Sequence, residues 1–363
     1  MKIMGFPLIY KQGENIIDSL GTELLIFGTK AFIVSDPFIK NLYSERLSNS
    51  LNKGKIESYF VDFSGETNPE ELDRISLKCK ELGYDFVIGF GGGKSQDAAK
   101  AIKMNLNIPV VIIPTIASND AATSRLIITY TKEGKFIGPR TMKTNPEAIF
   151  VDTSILIKAP IRYLIAGIGD ALATYFEAMQ CDASHVENFF GGERTEAALS
   201  IAKTCYEVVI KNAKEAVEAA KIGTINNAFD SIIEANVLLS GLGFEGCGVA
   251  GAHGISQGYT FIDGLKALHG EEVAVALLTQ LVIEKRDGQF MNEMLSFYKS
   301  IGLPLSLTDL GIDEIKEEYI DLISEFASRK QSRTQNINSL ITKEIVKKAI
   351  FEAEKIVQEY KKN

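Results

Sequence analysis

The chain has 363 residues, 45% of them apolar, which is enough for a large buried core and argues for two domains. A net charge of −8, with basic residues interspersed among acidic ones, excludes a general nucleic-acid binder and fits an ordinary soluble protein. The longest apolar runs, such as 109–114, are far short of a membrane span, no signal-like segment opens the chain, and Cys79, Cys181, Cys205 and Cys247 form no CxxC pair; a cytoplasmic protein with no membrane partner and with reduced, packed thiols is expected.

Strand-like and helix-like segments alternate through the first part. Residues 8–10 read as a short extended piece, 31–35 as a buried strand, 37–50 as an amphipathic helix and 56–63 as the next strand. A helix over 68–82, with Asn68 or Thr67 near its cap, leads to a strand at 86–90, a helix at 96–104 and a buried strand at 110–113. Such alternation predicts a parallel sheet covered by helices on both faces. Residues 126–131 and the turn signal Lys132-Glu133-Gly134-Lys135 predict a hairpin, and 149–152 one more strand. From Pro160 the pattern turns helical, at 169–181, 194–219, 226–239 and 345–360, so the expected domains are 1–159 and 160–363, with a cleft between them that suits a small-molecule site.

The strand at 86–90 runs through Gly91, Gly92 and Gly93 into Lys94 and a helix. Glycines let backbone amides approach an anion closely, and the helix that follows points its positive end at the same place, so a diphosphate-bearing cofactor is one reading and a plain tight turn is the other. The spacing is not that of a P-loop, because Ile88 stands where that motif needs glycine. The acid that a Rossmann fingerprint places about twenty residues downstream is missing from 112–116.

Three histidines occur, His185, His253 and His269, the last two in Gly-rich surroundings. Asp170 interrupts a small, apolar helix start, and a buried acid needs a partner or a metal. One Asp and two His can fill three positions on a divalent cation and leave others open. Each residue taken alone also suits a core or capping role. The polar segment from Pro114 to Ser124 follows a buried strand, where hydroxyls can meet phosphate or ribose or simply make turns.

With Gly91-Gly92-Gly93-Lys94, Pro114-Thr115-Ile116-Ala117-Ser118, Asp120, Gly169-Asp170-Ala171-Leu172, Glu234-Ala235-Asn236, Leu239-Ser240-Gly241, Gly243-Phe244-Glu245, Ala252-His253 and His269-Gly270-Glu271 in that order, the chain resembles the glycerol dehydrogenase family of metal-dependent, iron-type alcohol dehydrogenases over nearly its whole length. The resemblance implies an α/β N-terminal domain with a parallel sheet, Rossmann-like and dehydroquinate-synthase-like, and an all-α C-terminal domain. It implies NAD-linked oxidation of glycerol or a similar vicinal diol, to dihydroxyacetone for glycerol, with hydride leaving an alkoxide held on a divalent metal. That metal is usually zinc in this branch, with iron or another divalent cation as alternatives, and its ligands are Asp170, His253 and His269. The implied cofactor contacts are Asp36, Gly91, Gly92, Gly93, Lys94, Asp97, Thr115, Ser118, Ser124, Leu126 and Tyr130; Asp120 and His253 face the substrate. A carboxylate at Asp36 favours NAD over NADP, since it accepts from ribose hydroxyls and repels a 2′-phosphate. Homo-oligomers, often octamers, are also implied.

Four departures from the family pattern bear on the substrate. Ser256 stands where many relatives have a second His, Ala122 where Pro is usual, Arg125 where a small residue is usual, and Lys330-Gln331-Ser332-Arg333-Thr334-Gln335-Asn336 replaces a Glu-Gly-Glu-Thr-Ile-His-Asn stretch. Arg125 is expected as a solvated surface charge; a place in the cleft instead points to a hydroxy acid or phosphorylated polyol. The alternatives are thus a related enzyme acting on another alcohol, ketone or hydroxy acid and, more remotely, a non-catalytic NAD-binding protein.

Overall fold

The computed structural model describes residues 1–362 apart from 133, 263, 313, 314, 338 and 339. Its main sheet is parallel throughout and has the order β1-β8-β5-β4-β2-β3, from Ile9–Gly13 (β1), Lys30–Ser35 (β2), Glu57–Asp62 (β3), Phe86–Gly91 (β4), Val110–Pro114 (β5) and Ala148–Asp152 (β8). Leu126–Tyr130 (β6) and Phe136–Thr141 (β7) pair antiparallel as a separate hairpin, as expected; Glu133 of its predicted turn lies outside the described residues. The central strands read as unbroken apolar runs because both of their faces are covered. Phe32, Val34, Val87 and Ile112 enter one core, and Ala31, Ile33, Phe86, Ile88 and Val111 enter the other, in the alternation a strand requires.

The covering helices include Leu20–Glu23 (α1), Pro37–Lys53 (α2), Pro69–Leu82 (α3), Gly93–Leu106 (α4) and the single turn Thr153–Leu156 (α5). Asn68 caps α3 by accepting the Glu71 amide, as its position predicts. The chain winds outward from β2 to β3, then returns across β2 to β4. The strand order therefore reverses between β2 and β4, the place where a doubly wound sheet opens a crevice at its carboxyl edge.

The rest is helical: Ile161–Ala183 (α6), Glu196–Lys221 (α7), Asn227–Glu234 (α8), Ser240–Cys247 (α9), Gly251–Ser256 (α10), His269–Ile283 (α11), Gly288–Ile301 (α12), Glu317–Ala327 (α13) and Lys343–Lys362 (α14). Between α8 and α9 the residues Ala235–Leu239 form a π-helical turn inside what the sequence reads as one helix. Such turns carry one extra residue and often accompany functional sites. All four cysteines are free and buried. Among the described residues no single helix is long and apolar enough to cross a membrane.

Two close approaches fix α6 against its neighbours. A Cβ at Gly167 would lie 2.0 Å from the Ala117 carbonyl oxygen, and one at Gly270 would lie 1.8 Å from that of Ala166. Bare backbone packs on backbone at both places.

Candidate active site

The reversal point is built from the ends of β2 and β4. Asp36 follows β2 and caps α2, its Oδ1 accepting the amides of Phe38 at 3.0 Å and Ile39 at 3.1 Å. Gly91 ends β4 with φ +154°, and a Cβ there would stand 2.7 Å from Ser95 Oγ and 3.2 Å from Asp36 Oδ2. Helix α4 begins at Gly93, three residues ahead of the predicted start, with Gly92 as N-cap and no side chain capping it. Its first amides are therefore left for an outside acceptor, and the helix dipole favours an anion there. Gly91→Ala is expected to cost about 1–3 kcal/mol in backbone strain and to weaken NAD binding. Thermal melting and a cofactor titration check this, and a variant that melts and binds like the parent rejects it.

Around this cradle, Lys94 Nζ lies 2.6 Å from Glu66 and 5.7 Å from the centre of the Tyr130 ring. Thr115, whose amide donates to the Gly91 carbonyl at 3.2 Å, keeps a buried Oγ1 with no hydrogen-bond partner. Ser118 and the Leu126 side chain are half-buried, while Ser124 is buried with its hydroxyl 3.5 Å from the Ala121 carbonyl. Asp97, expected among the cofactor contacts, has both oxygens engaged internally. One pairs with the fully buried Lys100 at 2.9 Å and the other accepts the Ile128 amide at 2.9 Å, while Lys100 also holds the Leu126 carbonyl. Together they fasten the hairpin to α4.

The segment 115–124 spans from this cradle to the helical half. At one end Asn119 lies 3.5 Å from where a Gly93 Cβ would stand. At the other, the π-helical turn and its next residue grip the segment three times. Asn236 Nδ2 donates to the Ala117 carbonyl at 3.1 Å, Thr123 Oγ1 donates to the Val237 carbonyl at 3.0 Å, and Ser240 Oγ donates to Asp120 Oδ2 at 2.7 Å. Burial, followed by the nearby Asp170 charge, pushes the Asp120 carboxyl up to about 8.

Asp170 on α6, His253 on α10 and His269 at the start of α11 each offer one ligand atom, and the three atoms lie within 4.8 Å of one another. His253 Nε2 is 3.4 Å and His269 Nε2 3.7 Å from Asp170 Oδ1. Asp170 is buried, and among the described residues neither of its carboxylate oxygens has a hydrogen-bond partner. A carboxylate so placed is costly unless a cation stands against it, and one carboxylate with two imidazoles is a donor set for a divalent transition metal, so the residues fit a metal. Burial raises the Asp170 carboxyl, but the two facing imidazoles outweigh it and hold it below the usual range. Burial lowers His269; at His253 it is outweighed by Glu177 and Asp170, which raise that imidazole well above its ordinary value.

Glu177 is the residue that sequence reasoning missed. It is fully buried on α6, and its Oε2 lies 2.6 Å from His253 Nδ1. The available signal was its place two turns after Asp170, on the same face of a mostly apolar helix.

Two of the four departures lie on or against α10, the helix that carries His253. Arg125 is not a solvated surface charge: it is 6% exposed, its Nε is 3.4 Å from Glu245, it donates to the Phe189 carbonyl, and its guanidinium sits 3.7 Å over the Phe190 ring. Ser256 is buried and donates back to the His253 carbonyl at 3.2 Å, and Ala122 is buried. The stretch from Lys330 to Asn336 backs α10, with Asn336 Nδ2 donating to the Val249 carbonyl at 2.6 Å and Thr334 packed against Gly254. His185 stands apart, at the end of α6, with φ +54°.

A family model described as iron-containing alcohol dehydrogenase matches residues 7–153. The chain is 39% identical to a glycerol dehydrogenase of Thermotoga maritima, over 98% of this chain and 96% of that one. It is 34% identical to a glycolaldehyde reductase of Halobacterium salinarum, over 96% of each. The crystal structure of glycerol dehydrogenase from Schizosaccharomyces pombe superposes with a TM-score of 0.96 at 33% identity, covering 100% of this chain and 92% of that one.

Proposed function

The chain belongs to the iron-containing alcohol dehydrogenase family and is an oxidoreductase, and on that premise we propose that it oxidises glycerol, or a similar vicinal diol, at the secondary alcohol, yielding dihydroxyacetone from glycerol while reducing NAD. The observation that carries this reading is the buried Asp170 carboxylate, with both oxygens unpartnered, facing two imidazole nitrogens.

Asp170, His253 and His269 hold a divalent cation, which we assign as zinc. When bound, that cation supplies Lewis acidity, which lowers the pKa of an alcohol hydroxyl and so assists hydride departure. The N-terminus of α4, with Gly91 to Lys94, holds the cofactor diphosphate, and the free Thr115 hydroxyl supplies a further donor there. Asp36 Oδ2, not needed for capping α2, accepts from the ribose and disfavours a 2′-phosphate. Asp120, held by Ser240, orients a substrate hydroxyl. Arg125 is enclosed by Glu245, Phe189 and Phe190, so it offers no cation to an anionic substrate; this favours a neutral diol over a hydroxy acid or phosphorylated polyol.

The purified protein is expected to form NADH from glycerol and 1,2-propanediol, to lose that activity to a chelator and to recover it with added zinc. Absence of turnover with every diol across a zinc, iron and manganese series overturns the proposal. The glycolaldehyde reductase relative makes the reverse reaction on a small hydroxyaldehyde the second reading. NADH consumption with glycolaldehyde that exceeds the best diol rate would favour it.

A further inference from the structure

We propose that Glu177 is a positioning residue that fixes His253 with its ring proton on Nδ1 and so keeps Nε2 free for the cation. The inference rests on the metal assignment above and adds to it what sets the state of one ligand.

Glu177 makes three contacts, and they assign the proton between them. Its Oε1 accepts the backbone amides of Ala250 at 2.8 Å and His253 at 2.9 Å. Both partners are obligate donors, so that oxygen cannot exchange roles. Its Oε2 lies 2.6 Å from His253 Nδ1, and this contact is where we place the ring proton, on Nδ1 and facing a carboxylate oxygen, the arrangement carboxylates behind ligating imidazoles adopt. The same carboxylate therefore anchors the backbone at the start of α10 and turns the ring that α10 carries. On the far side of the ring Nε2 is 3.4 Å from Asp170 Oδ1. Without Glu177, the Asp170 carboxylate remains beside Nε2 and draws the proton there, into the space the cation needs. The two acids compete for one ring from opposite edges, and both stand on α6 seven residues apart, on one helical face. A carboxylate on the second nitrogen of a ligating His has this effect on tautomer and ring orientation in metal sites generally.

Glu177→Gln separates this role from simple packing. The Gln Oε1 keeps both backbone amides, which pins its NH2 against His253 Nδ1. Two donors then meet unless the ring proton moves to Nε2. Zinc affinity of the full-length protein, without cofactor or substrate and measured in competition with a chromophoric chelator, is expected to fall about 10- to 100-fold, while the apo melting temperature stays close to the parent's. A Gln variant that binds zinc within about twofold of the parent overturns the inference, because the outer-shell effect is at least several times larger. Should the variant fail to fold, nitrogen-15 spectra of the unsubstituted apo protein in alkaline buffer decide the matter: an Nδ1–H tautomer at His253 supports the inference and an Nε2–H tautomer overturns it. A parent protein that takes up no zinc or other divalent metal overturns the metal assignment itself, a result distinct from equal binding by parent and variant.

Discussion

His269→Ala is expected to leave a folded protein that still binds NAD, carries almost no divalent metal, and turns over glycerol at least about a thousandfold more slowly, a loss of about 4 kcal/mol in transition-state stabilisation. His269 is a cleaner probe than either other ligand. Its side chain is 47% exposed and, among the described residues, its ion-pair partner is Asp170 of the cluster itself, so truncation leaves little behind. Removing His253 strands the buried Glu177, and removing Asp170 leaves two imidazoles packed against each other with ring centres 5.3 Å apart. Metal content by elemental analysis, NAD affinity by fluorescence titration and steady-state rates check the three parts. A variant with full metal content and parental rates would remove His269 from the site.

The second large effect concerns Arg125. Its partner Glu245 is almost wholly buried, and takes the Arg125 amide at 2.9 Å and Asn145 Nδ2 at 2.6 Å. Taking away one member of a buried pair leaves a charge without compensation, at a cost of about 3–5 kcal/mol. Arg125→Leu is therefore expected to lower the melting temperature sharply, and Arg125→Leu with Glu245→Gln to recover much of it, because the stranded charge is then gone. Activity that survives in the single variant should show the same ranking of neutral and anionic substrates as the parent. A selective loss on anionic substrates, with unchanged stability, would put Arg125 back in the substrate's path.

These two residues mark what the sequence makes legible. Apart from β1, which runs three residues past its expected end, the strands with expected bounds stand within a residue of them, because a parallel strand covered on both faces leaves an unbroken apolar run, as at 31–35 and 110–113. Helix α4 starts three residues before its expected bound because its first turn lies in glycines, which propensity counts against a helix. The cluster of Asp170, His253 and His269 is legible through family resemblance rather than spacing, since its members come from three helices. Glu177 escaped because an acid on a helix ordinarily reads as a solvated face. Arg125 was misread because the partner that buries it lies 120 residues away. The π-helical turn carries no local signal: Ala235 to Leu239 continue the apolar spacing of α8.

The bare-backbone contacts of α6 bear on how such a protein changes over time. Gly167 seats the segment that carries Asp120, with the Asn236 amide also against it, and Gly270 seats the turn that carries His269 on the Ala166 backbone. The separation between the 115–124 segment and the cluster of Asp170, His253 and His269 thus behaves like a machined gauge, closed to gradual adjustment by substitution at the contact itself. Drift towards new substrates is channelled into the short stretch 118–124, whose side chains can vary while the gauge holds. A saturation library should accordingly tolerate much at Ala121 and almost nothing at Gly167 and Gly270, although neither glycine has a side chain with which to touch a substrate.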